Sequence, residues 1–341
     1  MLGETDFRSE EERLAAESFN ASSTESRHFE NSFGSKEYID NYYPTLNVES
    51  SVTTLQELSL DDRVEIDVNT LAQEKNITVE AAENLLLIDF QSKVAKEMLE
   101  AFPKGGIKSL DVGGGPTIYQ HIMTALETSS ITHAEFLEQN RNEVKKWLAN
   151  DEDSRDWDSY FKVVQAELKG NEDYQKVLAQ NTESADPDIQ RNASEISTIL
   201  NGSIADFKDF VRGRITSVAP CDVFKEGLGL PNTAPFEHVA SNFTVESATG
   251  DRGKWGVGMR NVMSRVAPGG YLSMTAIRNA EWYAVGKQKM PAVPISERDI
   301  QAILAESGFE ITQQRILTGS SKETDGYDGM ILVNARKIAK F

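Results

Sequence analysis

Apolar positions along the chain follow two spacings that alternate. Leu85, Leu86, Ile88, Val94, Met98 and Leu99 recur at roughly helical intervals. The pattern stops before Pro103 and the Gly105-Gly106 pair, which predicts a helix ending there. Beyond it, short apolar runs predict strands at 107–112, 131–136, 214–219, 238–243 and 271–277. A helical pattern through Trp255, Val257, Met259, Val262 and Val266 leads into Pro268-Gly269-Gly270, the turn before the fifth strand. A helix over 297–307 and two closing strands, 309–317 and 330–335, complete the set. Strands alternating with helices predict an α/β fold with a mainly parallel, doubly wound sheet of seven strands. Only the loop 318–329 separates the last two strands, so the closing strand must be antiparallel, because a parallel return needs a longer crossover.

The same patterning divides the chain. Residues 1–30 are polar and are expected to be mobile. Residues 31–105 are expected to form a helical cap or lid, with an acidic addition over 57–83 to which no role is assigned. Residues 106–341 form the main domain, interrupted by a largely polar stretch of about 150–210 that is too long for an ordinary crossover. Its helical patterns favour a surface excursion over a substrate cover.

The most informative stretch is 110–120, Leu-Asp-Val-Gly-Gly-Gly-Pro-Thr-Ile-Tyr-Gln, set between the first core strand and a helix. Strand, glycine turn, helix is where an α/β fold brings its backbone against a nucleotide-like ligand. Glycines leave no Cβ at the turn and permit positive φ. A dinucleotide fingerprint would need a small residue at 118, where Ile118 stands, and no lysine follows to make a P-loop. Asp111 before the turn opposes a phosphate but suits a ligand with a cationic amino-acid end. S-adenosylmethionine has such an end and no phosphate, so it is the expected cofactor. Glu135 ends the second strand twenty residues after Gly115, the interval at which a carboxylate receives ribose hydroxyls. Asp222 and the Val223 amide follow the third strand, where an adenine edge would lie, although aspartate there is also a common helix N-cap.

These residues resemble the small-molecule methyltransferases that include nicotinamide, phenylethanolamine and indolethylamine N-methyltransferases. The likeness runs through Asp111-x-Gly113-x-Gly115-Pro116-Thr117-Ile118-Tyr119-Gln120, Glu138-Gln139-Asn140 and Val144-Lys145-Lys146-Trp147-Leu148. It continues through the Tyr38-x₃-Tyr42-Tyr43 segment, Pro220-Cys221-Asp222-Val223, Pro268-Gly269-Gly270 and Trp282-Tyr283-x-x-Gly286-x-Gln288-Lys289. The blocks occur in family order and cover about half the chain. The resemblance implies the seven-stranded class I methyltransferase sheet and methyl transfer to nitrogen of a small amine or N-heterocycle. Transfer to O, S or C, or S-adenosylmethionine binding without catalysis, stays open at this point.

The expected cofactor set is Tyr38, Tyr43, Asp111, Gly113, Gly114, Gly115, Thr117, Tyr119, Glu135, Asn140, Asp222, Val223 and Asn242. The expected acceptor set is Tyr38, Tyr42, Phe243, Glu246, Thr275, Asn279, Trp282 and Tyr283, with Tyr42, Trp282, Tyr283 and Glu281 nearest the chemistry. One departure stands out. Family members carry an acid on the strand after Pro-Gly-Gly, where this chain has Thr275, and Glu281 and Glu246 are the candidates to replace it. A carboxylate restored at 275 is expected to favour more basic amines.

Composition narrows the field slightly. A net charge of −19 argues against nucleic acid. One cysteine permits no intrachain disulfide, and no cysteine–histidine cluster suggests a metal. Without a basic, apolar leader or a long apolar span, the expectation is a cytoplasmic protein, off the membrane, a monomer or a weak homo-oligomer, whose partner is a small methyl acceptor.

Overall fold

The computed structural model describes residues 33–58, 65–231 and 234–338. The polar segment 1–30 expected to be mobile lies outside the described residues.

The chain opens with α1 (Ser35–Tyr42) and α2 (Val48–Leu58), then β1 (Glu65–Asp67), α3 (Val68–Lys75) and the long α4 (Val79–Ala101). Thr78 caps α4 by accepting from the Ala81 N–H. The helix is buried on most of its circumference, which explains the weak polarity of its sequence. Asp89, within it, pairs with the buried Arg315 guanidinium and joins the helix to the sheet.

The core alternates as the apolar runs require. It comprises β2 (Ile107–Val112), α5 (Tyr119–Glu127), β3 (Thr128–Glu135), α6 (Glu138–Leu148), β4 (Ile215–Pro220), β5 (Phe236–Asn242), α11 (Arg252–Ser264) and β6 (Val266–Arg278). It closes with α12 (Glu297–Glu306), β9 (Phe309–Thr318) and β10 (Gly329–Lys337). The strand order is β1-β9-β10-β6-β5-β2-β3-β4. β10 is antiparallel to both β9 and β6, and every other pairing in this sheet is parallel.

The sheet has eight strands where the patterning predicts seven. The extra strand is β1, whose three residues pair with Ile316–Thr318 at the outer edge of β9. It lies inside the acidic addition, and three residues are too few to show a period. A separate hairpin, β7 (Trp282–Val285) with β8 (Gln288–Pro291), stands outside the sheet.

Two buried clusters cover the sheet. One gathers Leu86, Ile122, Phe161 and Phe207 from α4, α5 and the inserted helices; the other gathers Val239, Met259, Val262 and Leu304 around α11 and α12. The inserted helices are α7 (Asp158–Gly170), α8 (Glu172–Thr182), α9 (Pro187–Asn201) and α10 (Ile204–Arg214). They are not a peripheral excursion. Trp157, Tyr160, Phe161, Tyr174 and Phe207 are among the largest fully buried side chains, and α7 packs against α2, α4 and α5. Each helix keeps one apolar stripe inward, so a mostly polar sequence still supplies core.

Candidate functional site

A cavity of about 710 Å³ opens at the carboxyl ends of β2, β3, β4 and β5, the position at which open α/β sheets take ligands. Its floor is the turn after β2. Gly113 and Gly115 have φ of +68° and +64°, where side chains with a Cβ are strained. A Cβ on Gly114 would lie 2.2 Å from the Asp111 carboxylate. The turn therefore needs its glycines for packing below as much as for access above.

Asp111 is placed beneath this turn, not on the cavity wall. Its Oδ2 accepts from Gln120 Nε2 at 3.1 Å and lies 3.4 Å from both His121 Nε2 and His133 Nδ1. Burial alone would raise its pKa, but the bond from His133 and the His121 charge outweigh burial and hold it low. Burial pushes His121 down to about 4. His133 Nε2 stands 3.2 Å from the Gly115 carbonyl. The three groups lie close enough to share a cation, but the Gln120 amide occupies the oxygen such an ion would take and Gly114 covers it. The cluster braces the turn.

Glu135 closes β3 and reaches the same turn. One oxygen accepts from the Gly115 N–H at 3.1 Å, and the other from the Leu137 N–H at 2.8 Å and Asn140 Nδ2 at 3.2 Å. A carboxylate offers about four acceptor positions, so roughly one remains for a ligand, fewer than the two a ribose diol would take. Burial raises its pKa despite these donors. Asp222 lines the cavity after β4, where its Oδ1 caps the Phe224 N–H at 3.0 Å. It caps a turn and not a helix, since the next helical turn starts at Glu226 with Lys225 before it. Cys221 beside it is a buried thiol whose pKa burial pushes up.

Aromatic side chains from distant segments form the roof. Tyr38, Tyr42 and Tyr43 of the α1 segment line the cavity with Tyr119 and Tyr283. Ring centroids stand 5.2 Å apart for Tyr38–Tyr42 and 4.9 Å for Tyr43–Tyr119. Tyr43 also packs against Trp157, so the inserted helices buttress the roof. Burial pushes the Tyr38 hydroxyl up to about 12. Asn84 Nδ2 donates to the Tyr42 carbonyl at 2.8 Å, Arg155 to the Tyr43 carbonyl at 2.7 Å, and Ser35 to Asn140 at 2.6 Å.

The cavity wall gathers most of the expected residues: Tyr38, Tyr42, Tyr43, Gly113, Gly114, Gly115, Thr117, Tyr119, Glu135, Asn140, Asp222, Val223, Asn242, Phe243 and Tyr283. Besides Asp111, five others stand elsewhere, each for a physical reason. Alternation along β7 buries Tyr283 and turns Trp282 half outward, under Lys289 Nζ at 3.6 Å. Glu281, before that strand, is exposed. Glu246 is buried and accepts from the Ile277 N–H at 3.0 Å, with burial pushing it up to about 7. Asn279 donates to Asp328 at 3.0 Å. Thr275 lies two residues deeper in β6 than Ile277, which reaches the wall. It faces instead a separate cavity of about 50 Å³ with Leu87, Met98 and Met274.

The wall also holds residues that the sequence reading missed, chiefly Glu83, Asn84 and Leu87 of α4, and Tyr327. A polar pair directly before an apolar run, Glu83-Asn84 ahead of Leu85-Leu86-Leu87-Ile88, was the available signal.

Comparison with known proteins gives one family. The model of the NNMT/PNMT/TEMT family matches residues 76–191 and 193–338. Phenylethanolamine N-methyltransferase of Macaca mulatta is 24% identical over 235 residues, covering 67% of this chain and 73% of that protein. The Rattus norvegicus enzyme of the same name is 27% identical over 251 residues, covering 71% and 77%. Nicotinamide N-methyltransferase of Homo sapiens is 24% identical over 250 residues, covering 72% and 83%.

Proposed function

Since the chain belongs to the NNMT/PNMT/TEMT family, we propose that it is an S-adenosylmethionine-dependent methyltransferase acting on a nitrogen of a small amine or N-heterocycle. One observation carries the reading. A single cavity joins the glycine turn, Glu135 and Asp222 to a roof of Tyr38, Tyr42 and Tyr283, so one space offers a nucleoside end and an aromatic acceptor end.

The residues present fit the cofactor. Gly115 has nothing within 4 Å of where a Cβ would stand, leaving room for close approach to the backbone. Glu135 keeps an acceptor position for a ribose hydroxyl, and Asp222 with Val223 presents a carboxylate and an amide to an adenine edge. S-adenosylmethionine supplies a methyl carbon on a sulfonium, which is open to in-line displacement. The protein's part is to fix direction and distance, because a held near-attack geometry removes most of the entropic barrier. The tyrosine faces stabilise positive charge as it passes toward the nitrogen. The roof excludes water from the reacting atoms.

Residues 31–105 act in this reading as the cap and lid, residues 106–341 as the transferase domain, and the 150–210 insertion as its buttress. The acceptor is small because a cavity of about 710 Å³ must hold the cofactor as well, and the acidic charge suits no nucleic acid. No helix among the described residues is long and apolar enough to cross a membrane. The single, buried cysteine accords with a reducing compartment such as the cytoplasm.

The test is methyl transfer from S-adenosylmethionine to a panel of amines, N-heterocycles, phenols and thiols, with products identified by mass. N-methyl products are expected. Products on oxygen or sulfur alone overturn the assignment to nitrogen, and tight cofactor binding without turnover on the whole panel overturns catalysis.

A further inference from the structure

Neither Glu246 nor Glu281, the acids expected at the acceptor end, stands on the cavity wall. Glu281 is exposed, and Glu246 is buried behind the wall with its carboxylate on the Ile277 N–H. Among the described residues four acids do line the cavity: Glu83, Glu135, Asp222 and Asp251. Glu135 and Asp222 belong to the nucleoside end. Asp251 is exposed and caps α11 by accepting from the Lys254 N–H. Glu83 is the remaining carboxylate. It projects from α4, outside the transferase core, and is 5% exposed.

Among the described residues its surroundings contain no cation. Ser320 Oγ donates to Glu83 at 3.4 Å. The charged and titratable groups that face it are Glu80 on its own helix, Asp325 and Tyr327 from the loop before β10, and Tyr42 from α1. No ion pair reaches it among the described residues. The next residue, Asn84, commits its Nδ2 to two carbonyls, while its Oδ1 is buried on the wall with no hydrogen-bond partner. Two oxygen acceptors, one of them a carboxylate, therefore belong to residues of the same wall as Tyr42 and Tyr327. A buried acceptor without a donor is costly. A ligand carrying several N–H donors, cationic in water, supplies what the wall lacks.

Resting on the proposed function, we propose that Glu83 is the acceptor-binding acid of this enzyme, which selects aliphatic amines and takes the ammonium proton before transfer. The proton count balances. An ammonium and an ionised Glu83 enter as a pair; the proton moves from nitrogen to the Glu83 carboxylate, leaving a neutral amine with a free lone pair and a neutral carboxyl. The ion pair is the bound form, held by charge-assisted hydrogen bonds, and transfer proceeds from the neutral pair in equilibrium with it. In the empty site, burial first and then Glu80 push Glu83 up to about 8, with Ser320 opposing, within reach of an amine's proton.

The experiment compares the wild type with Glu83→Gln, whose neutral amide resembles the protonated acid and preserves the fold. Benzylamine and pyridine are titrated calorimetrically into each protein saturated with S-adenosylhomocysteine. Glu83→Gln is expected to weaken benzylamine roughly tenfold or more and to leave pyridine unchanged. In turnover, the wild-type kcat/KM for benzylamine is expected to rise through about pH 8 and fall above the amine's own pKa. The variant should instead rise monotonically toward that pKa, because it needs the neutral amine. Equal benzylamine affinity in the two proteins, or no benzylamine binding to the wild type, overturns the proposal. Glu83-dependent binding with no turnover on any acceptor would instead overturn the proposed function alone.

Discussion

The Tyr42 hydroxyl donates to the Ala284 carbonyl at 3.0 Å and accepts from the Ala284 N–H at 3.1 Å. The two residues are 242 positions apart, one on α1 and the other in the hairpin that carries Tyr283. One phenol thus latches the roof to the rim of the cavity. Such a contact separates an open from a closed site without altering either wall.

Tyr42→Phe removes both bonds while keeping the ring. At about 0.5–1.5 kcal/mol per bond, kcat/KM for the acceptor should fall roughly tenfold, mainly through KM. Cofactor affinity should change less, because Glu135 and Asp222 are untouched. Steady-state kinetics with S-adenosylhomocysteine binding measures the split; an equal loss in both would make the latch a general brace.

Glu135→Ala should weaken S-adenosylhomocysteine at least roughly tenfold, since bonds to a carboxylate are worth about 1.5–3 kcal/mol. The variant also strands the Gly115 and Leu137 N–H groups, so its melting temperature should drop. Glu135→Gln keeps acceptor oxygen and should fall between. Cofactor affinity unchanged in a folded Ala variant would remove Glu135 from the site.

Thr275→Asp should not redirect specificity. The carboxylate would enter the small cavity beside Leu87, Met98 and Met274, buried without a cation. A cost of about 2–5 kcal/mol in stability is expected, read by denaturant unfolding. A fully stable variant with altered amine preference would show that position 275 reaches the acceptor after all.

Stability should decline as pH rises. Glu127 is buried, bonded at one oxygen to the Tyr174 hydroxyl at 3.0 Å, and burial pushes it up from 4.5 to about 8. A folded-state pKa above the unfolded one gives stability that is complete below about 4.5 and is lost as pH climbs through about 8. Glu127→Gln should match the wild type near pH 5 and exceed it near pH 9 by about 2–4 kcal/mol. Parallel melting curves for the two proteins across that range would count against a buried, neutral Glu127.

Arg315→Met should leave buried Asp89 with only Lys93, 3.6 Å away, as a cationic partner and cost about 3–5 kcal/mol. Replacing both partners with apolar residues should recover most of that loss. A double variant no better than the single one would show that the pair also sets the packing of α4 on β9.

Much was legible in the sequence where neighbours in the chain settle the outcome. The glycine turn, the strand–helix alternation and the antiparallel closing pair follow from backbone freedom, periodicity and loop length, each written in contiguous residues. The interval from Gly115 to Glu135 spans one helix and one strand, and the strand tip meets the turn through the 3.1 Å bond from the Gly115 N–H to Glu135.

What the tertiary structure alone decided is which side of a wall each side chain takes. Tyr283 faces the cavity and Trp282 does not because the register of β7 with β8 sets the alternation. Thr275 lies below the floor because β6 pairs it with Asn242 and Leu332 inside the sheet. Glu83 reaches the cavity because α4 packs beneath α1 and the loop before β10, segments about forty and two hundred and forty residues away. Contacts of that span depend on long-range packing rather than local propensity, so no window along the chain contains them.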